Sequence, residues 1–227
     1  MIYSDYFKIK NIQIKGIELI SDESLLSAIT AQMKKDAGWR TFVGSKNILF
    51  WEFGAEPNLP AETSPIIAEL KINSNLTERK VIIQVKEREL FGVWCVSEKN
   101  CYAFDAEGFI FSETPEVHGV LITKIEDQNT RDLAISNKIL PNEEWIKNFL
   151  GTVKIAKENN IAIAEIEIKD LALREWELKT VWKPVIYFSL DFIPENLELI
   201  FSNLAQRFDL NKLSYLDFRV PNRIYYK

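Results

Sequence analysis

Cysteine and histidine are nearly missing from these 227 residues, with Cys at positions 95 and 101 and a single His at 118. A zinc site needs four nitrogen or sulfur ligands at recognisable spacing, so this supply excludes one without outside help. Triads of the Ser-His-Asp or Cys-His kind would all have to use His118, which sits in the turn-like Pro115-Glu116-Val117-His118-Gly119 with no nucleophile signature beside it. Long apolar runs are missing as well. No segment approaches the roughly 20 apolar residues that cross a bilayer, and Met1-Ile2-Tyr3-Ser4-Asp5 has neither the charged nor the apolar region of a signal peptide, so the chain as it stands should be soluble. Clustered basic charge is the third absence: the net charge is −5 and no Lys/Arg stripe forms, which argues against nucleic acid as a partner. Glycine and proline number only eight each against 47% hydrophobic residues, a composition that builds its own core without staples and excludes a disordered chain.

Other chemistry fails on spacing. Gly38 and Gly44-Ser45-Lys46 lack the order of a Gly-Lys-Ser/Thr phosphate cradle and have no parallel βα unit around them. Glu87, Glu89, Glu165 and Glu167 alternate with apolar neighbours as the solvated face of strands does, which makes a paired-carboxylate hydrolase site the weaker reading. Asn75-Leu76-Thr77 matches a glycosylation sequon too short to carry weight. No cofactor and no metal are expected. Trp39, Phe42, Phe50, Trp51 and Phe53 could stack bases, but without interleaved cations they read as core or interface side chains.

What is present is strand and helix patterning. Phe7 and Ile9 share a strand face, with Ile12 and Ile14 out of phase, predicting a strand over 7–16 broken by a bulge at 10–11. Ser21 or Asp22 opens a helix carrying Leu25, Leu26, Ile29 and Met33, with Lys34 and Lys35 in its last turn. Residues 36–60 read as a long aromatic loop with a short insert at 47–53, 61–68 as a second helix, and 69–73 and 80–88 as two strands. The turn residues Asp105 to Gly108 fold a hairpin within 94–111, followed by a strand at 120–125 and a helix at 142–158. Further strands are expected at 162–169, 171–178 and 185–189, then a helix at 194–208 opened by Pro194 and terminal strands at 213–220 and 224–226. Cys95 and Cys101 either close a cross-strand disulfide around the 97–100 turn or stay two small buried thiols.

The segment from Phe7 to Gly16, the capped helix after it and the strand closing in Lys86-Glu87-Arg88 resemble a polypeptide-transport-associated (POTRA) domain. Trp94, then Tyr102-Ala103-Phe104-Asp105-Ala106-Glu107-Gly108-Phe109-Ile110-Phe111, and the ending Leu213-Ser214-Tyr215-Leu216-Asp217-Phe218-Arg219-Val220-Pro221-Asn222-Arg223-Ile224-Tyr225-Tyr226-Lys227 resemble the bacterial cell-division family FtsQ/DivIB. The resemblance runs from Phe7 to Lys227 and implies an α+β fold. A POTRA domain of β-α-α-β-β order would occupy 1–89, with the aromatic insert 36–60, and a mixed β-sheet domain with helices on one side would occupy 90–227.

It further implies a non-enzymatic scaffold of the division machinery, outside the cytoplasmic membrane and held to it by a single span not contained in this chain. Its partners would be the coiled-coil proteins FtsB (or DivIC) and FtsL, with other division proteins contacting the POTRA domain, and its output the control of septal peptidoglycan synthesis. The route expected is strand addition to an open edge near the C-terminus, where unpaired main-chain groups can accept another strand. Partner-binding residues would be Tyr215, Leu216, Asp217, Phe218, Arg219, Arg223 and Tyr225. Alternation puts Tyr215, Asp217 and Arg219 on one face and the more apolar Leu216, Phe218 and Val220 toward the core, so recognition should lean on Tyr215, Arg219 and the backbone. The alternatives are a POTRA-type module of an outer-membrane assembly or secretion system, which would need tandem repeats or a barrel, and a cell-wall-modifying enzyme, which would need a deep ionisable pocket.

Overall fold

A computed structural model describes residues 4–52, 64–97, 100–117, 119, 121–181, 183–207 and 213–227. His118 and Phe53 lie outside the described residues. The chain divides into two compact units, Met1–Arg88 and Glu89–Lys227, and the whole is α+β, with a large mixed sheet and few helices.

In the first unit the expected strand at 7–16 is shorter. Phe7 belongs to a 3-10 turn, Asp5–Phe7, and the strand β1 is Asn11–Lys15. The bulge expected at 10–11 is absent, since β1 pairs with β3 from Asn11 to Lys15 without a register shift. The Ile9 N–H donates to the Lys46 carbonyl (2.9 Å) on one side, and the next N–H, that of Lys10, donates to Arg79 (2.9 Å) on the other. Gly16 ends the strand with φ +83°, and a Cβ there would lie 2.1 Å from the Val85 carbonyl oxygen, so only glycine fits. The chain then offers the N–H groups of Glu18, Leu19 and Ile20 to the Glu87 carboxylate at 3.0–3.2 Å. Glu87 is therefore an anchor for this turn and not a free solvated acid.

Ser21 caps the helix α1 (Asp22–Asp36), its Oγ accepting from Ser24 N–H at 3.3 Å. The helix buries Leu25, Ile29 and Met33 against Val81, Ile83 and Val85. The stretch read as loop holds two single-turn helices, α2 (Arg40–Val43) and α3 (Leu49–Glu52). The second drops Phe50 and Trp51 into the same core, where the Trp51 indole N–H finds the Ser45 carbonyl at 2.9 Å. Trp39 and Phe42 remain exposed. The helix expected at 61–68 is a correction: Ile67 and Ala68 already belong to β2 (Ile67–Asn75), and 61–63 lie outside the described residues. Pairing with β3 (Lys80–Glu87), from Ile67↔Glu87 to Asn75↔Lys80, overrides the local helical preference. β1 joins β3 in parallel, giving the order β1-β3-β2.

The second unit threads β4 (Gly92–Ser97), β5 (Asn100–Phe104), β6 (Ile110–Thr114), β7 (Lys124–Asp127), α4 (Glu143–Glu158), β8 (Ile163–Ile168), β9 (Glu175–Thr180), β10 (Val185–Ser189), α5 (Leu197–Arg207), β11 (Tyr215–Asp217) and β12 (Tyr225–Tyr226). They form one nine-stranded sheet in the order β12-β11-β10-β9-β8-β7-β4-β5-β6, parallel at β4/β7, β7/β8 and β10/β11. Asp105 makes the β5–β6 turn as expected, its Oδ1 accepting from Glu107 and Phe109 N–H groups at 2.9 Å each. Three expected strands are shorter. Residues 121–123 are irregular, with Leu121 fully exposed, and Leu171–Leu173 is a 3-10 turn capped by Asp170 that leaves Arg174 left-handed at φ 56°. The 213–220 strand shrinks to three residues because only 215–217 find a neighbour.

Helices α4 and α5 cover one sheet face. Their contact is dominated by a chain of rings: Phe91–Phe104, Phe104–Trp94, Trp94–Phe149, Phe149–Trp176, Trp176–Phe188, Phe188–Phe218 and Phe218–Phe201, at centroid separations of 4.6–6.2 Å. Trp94 donates its indole N–H to the buried Asp127 (3.1 Å), whose charge Arg131 neutralises from above the same indole. On the other face Cys95 and Cys101 stand directly opposite each other in the β4–β5 register and are disulfide-bonded, which resolves the choice the sequence left open.

Truncating the central ring, Phe149→Ala, should cost about 3–5 kcal/mol in urea unfolding, whereas Leu121→Ala should stay within about 0.5 kcal/mol. Equal costs would mean that the ring chain is not the core of this unit. Reducing the disulfide should lower stability by about 2 kcal/mol, the closure entropy of so short a loop, read as a fall in the unfolding midpoint with dithiothreitol.

Candidate functional site

The C-terminal hairpin supplies the candidate interaction edge. β11 is not itself an edge: it pairs in parallel with β10 (Val185↔Tyr215, Ile186↔Leu216, Tyr187↔Asp217) and antiparallel with β12 (Leu216↔Tyr226, Asp217↔Tyr225). Both its flanks are occupied by this chain, so a partner strand cannot pair with 215–217. The last strand of the sheet is β12. Lys227 turns both its main-chain groups toward β11, its N–H to Tyr215 (3.4 Å) and its carbonyl to the Ser214 N–H (2.6 Å). Alternation then points the main-chain groups of Ile224 and Tyr226 to the side of β12 away from β11.

The seven expected partner residues divide between three environments. Leu216 and Phe218 are each 2% exposed, Phe218 lying flat on Phe188 at 5.4 Å and edge-on to Phe201; neither can touch a partner. Tyr215, Asp217 and Arg219 share the opposite face as alternation requires, but two of them are engaged. Arg219 grips Asp217 with two hydrogen bonds (Nε to Oδ1 2.9 Å, Nη2 to Oδ2 2.6 Å), reaches Glu175 at 2.7 Å and lies 5.0 Å over the Tyr187 ring. The clamp holds the Asp217 carboxyl below its ordinary range and raises Arg219 further above its own. Arg219 is thus a brace between β9, β10 and β11 rather than a free recognition side chain. Arg223 and Tyr225 are exposed and adjacent, Nη1 to Oη 3.5 Å.

Beside them stand residues outside the expected set: Ile224 and Tyr226, 40% and 59% exposed, and Val220, which was expected toward the core but is 42% exposed because the strand ends at Asp217. The run Ile224-Tyr225-Tyr226 was the signal for the first two, since three consecutive apolar or aromatic residues on a strand cannot all face one core.

The solvated face of the sheet carries a second cluster. Carboxylate oxygens of Glu126, Glu165 and Glu167 lie within 4.8 Å of one another, but two ammonium groups sit among them. Lys124 bonds Glu126 (2.7 Å) and Glu116 (2.5 Å), while Lys179 bonds Glu165 (3.0 Å) and Glu167. Burial works against the charge on both lysines, and the carboxylate hydrogen bonds outweigh it, so both pKa values rise. Glu167, expected on the solvated face, is buried and also within 3.9 Å of Lys169. The arrangement is a ladder of cross-strand ion pairs in which Lys124 and Lys179 already occupy the space between the carboxylates.

No family model and no curated protein matches this chain.

The Arg219 brace predicts an acid dependence. Asp217 has a lowered folded pKa, so its contribution is complete above about pH 4 and is lost as pH falls through the depressed folded value. Arg219→Gln should lower stability at neutral pH and flatten this acid-side decline in urea unfolding followed from pH 7 to 2; a parallel shift at every pH would show that the pair contributes no linked protonation.

Proposed function

We propose that this chain is a non-enzymatic adaptor of the FtsQ/DivIB kind, taking an extended segment of a partner onto β12 as a tenth strand of its sheet. The observation that carries the reading is the place of β12 at the end of the described sheet, flanked by exposed Val220, Arg223, Ile224 and Tyr225. Main-chain pairing would supply affinity, and the alternating exposed side chains would supply selectivity. Partners of the FtsB/DivIC and FtsL type follow from the resemblance, as does the coupling to septal peptidoglycan synthesis. The strand, helix and two hairpin-joined strands of the first unit are in keeping with its reading as a POTRA domain. The Cys95–Cys101 disulfide favours an oxidising compartment, as an extracytoplasmic location of a membrane-anchored protein would provide.

The informative substitution is at the edge. Proline within 213–220 would break the protein's own pairing, whereas Tyr226→Pro removes an outward donor that β11 does not use. Titrating the extracytoplasmic segment of an FtsB- or DivIC-type protein by calorimetry, Tyr226→Pro should weaken binding by about tenfold or more, or roughly 1.4 kcal/mol, while the melting curve holds. Unchanged affinity would overturn strand addition at β12.

A further inference from the structure

We propose that the first unit carries a second docking edge, independent of β12: the outer edge of β1 with the groove beside it, which takes an extended acidic segment of a partner protein. The direction of the main-chain groups decides which edge is open. The Lys10 N–H bonds Arg79 on the β3 side, so Ile12 and Ile14 also face β3, and the odd-numbered residues face out. The first of these, Ile9, is satisfied by Lys46, because the segment around Asn47 pairs briefly with Lys8. After that the chain leaves Asn11, Gln13 and Lys15 with outward N–H and C=O groups that no strand meets among the described residues. Five residues of strand present about 17 Å of edge, enough for a short added strand.

A groove of about 410 Å³ opens at the start of this edge, with Leu26 and Thr30 of α1 and Trp51 among its lining and Lys8, Lys10 and Lys46 around it. Leu26 and Thr30 are one helical turn apart and only half buried, so the groove has an apolar floor at the position where alternate side chains of an added strand would point. Its charge is one-sided. Lys8 pairs with the exposed Asp5, but among the described residues Lys10, Lys15 and Lys46 have no ion-pair partner. Lysines on an edge strand guard it against pairing with copies of itself. A guard of this kind is selective, because the charges that repel a second β1 attract a strand of opposite sign. The other edge of the same sheet differs: β2 opens with a register shift at Ile67/Glu69, and Glu69 there lies near both Lys71 and Lys86.

The test uses the whole chain and a fluorescent peptide of alternating Val and Glu, with its Val and Lys counterpart as control, read by anisotropy. The acidic peptide should bind and weaken by about tenfold or more between about 50 and 500 mM salt, and the lysine peptide should not bind. Lys10→Glu with Lys46→Glu should weaken binding by about tenfold or more, and these exposed positions do not bear on folding. Gln13→Pro should abolish binding, because its N–H points away from β3 and its loss leaves that ladder intact. Tyr226→Pro should leave this binding unchanged, which separates it from the β12 edge. Equal binding of the two peptides, no binding of the acidic one, indifference to the double charge reversal, or loss through Tyr226→Pro would each overturn the proposal.

Discussion

The terminal hairpin is held in place by one row of rings. β11 and β12 have three and two residues, too few to be stable alone. Their position depends on Phe218, which lies against Phe188 and, through Trp176 and Phe149, is tied to Trp94 beside the buried Asp127. Each ring offers a large apolar area in a fixed orientation, so the row transmits position along the sheet with little slack. On the opposite face Arg219 fastens the same hairpin to Glu175 of β9. A short edge strand braced on both faces is a rigid template, which reduces the ordering cost that a docking strand must overcome.

The sheet edges of this protein are treated unequally. At β6 the chain covers the start of its own edge, with Ile110 exchanging hydrogen bonds with Asn137 (2.9 Å) and Ser136 (2.8 Å) and Phe109 bridging Lys138. At β1 the cover reaches only Ile9. At β12 the described sheet has no further strand, and the exposed side chains are tyrosines and an isoleucine. An open edge is an aggregation hazard that native chains blunt. Leaving one uncovered and aromatic at β12 and another lysine-flanked at β1 fits surfaces kept for partners.

Local signals were readable and non-local ones were not. The Ser21 cap with Leu25, Ile29 and Met33, the Asn142-capped helix and the Asp105 to Gly108 turn are each specified by residues within about four positions of one another, as helix and turn chemistry demands. The expected helix at 61–68 failed at Ile67 and Ala68 because a distant strand, β3, claimed them. The single-turn helix at 40–43 has no periodicity to read, and the one at 49–52 falls in the short insert expected at 47–53, its helical form depending on Phe50 and Trp51 finding the core. For the candidate site, alternation correctly separated Tyr215, Asp217 and Arg219 from Leu216 and Phe218. It could not reveal that Glu175, 44 positions away, would occupy Arg219.

By itself the amino-acid order determined the alternation of most strands, where α1 and α4 begin, and the turn at Asp105 to Gly108, because period, cap and turn are short-range properties of the chain, while the pairing of Cys95 with Cys101 waited on the β4–β5 register. Tertiary structure alone decided strand order, and with it which strand is last. β11 became interior and β12 the edge because the chain, after α5, lies parallel beside β10 and then turns back to pair β12 with the other side of β11.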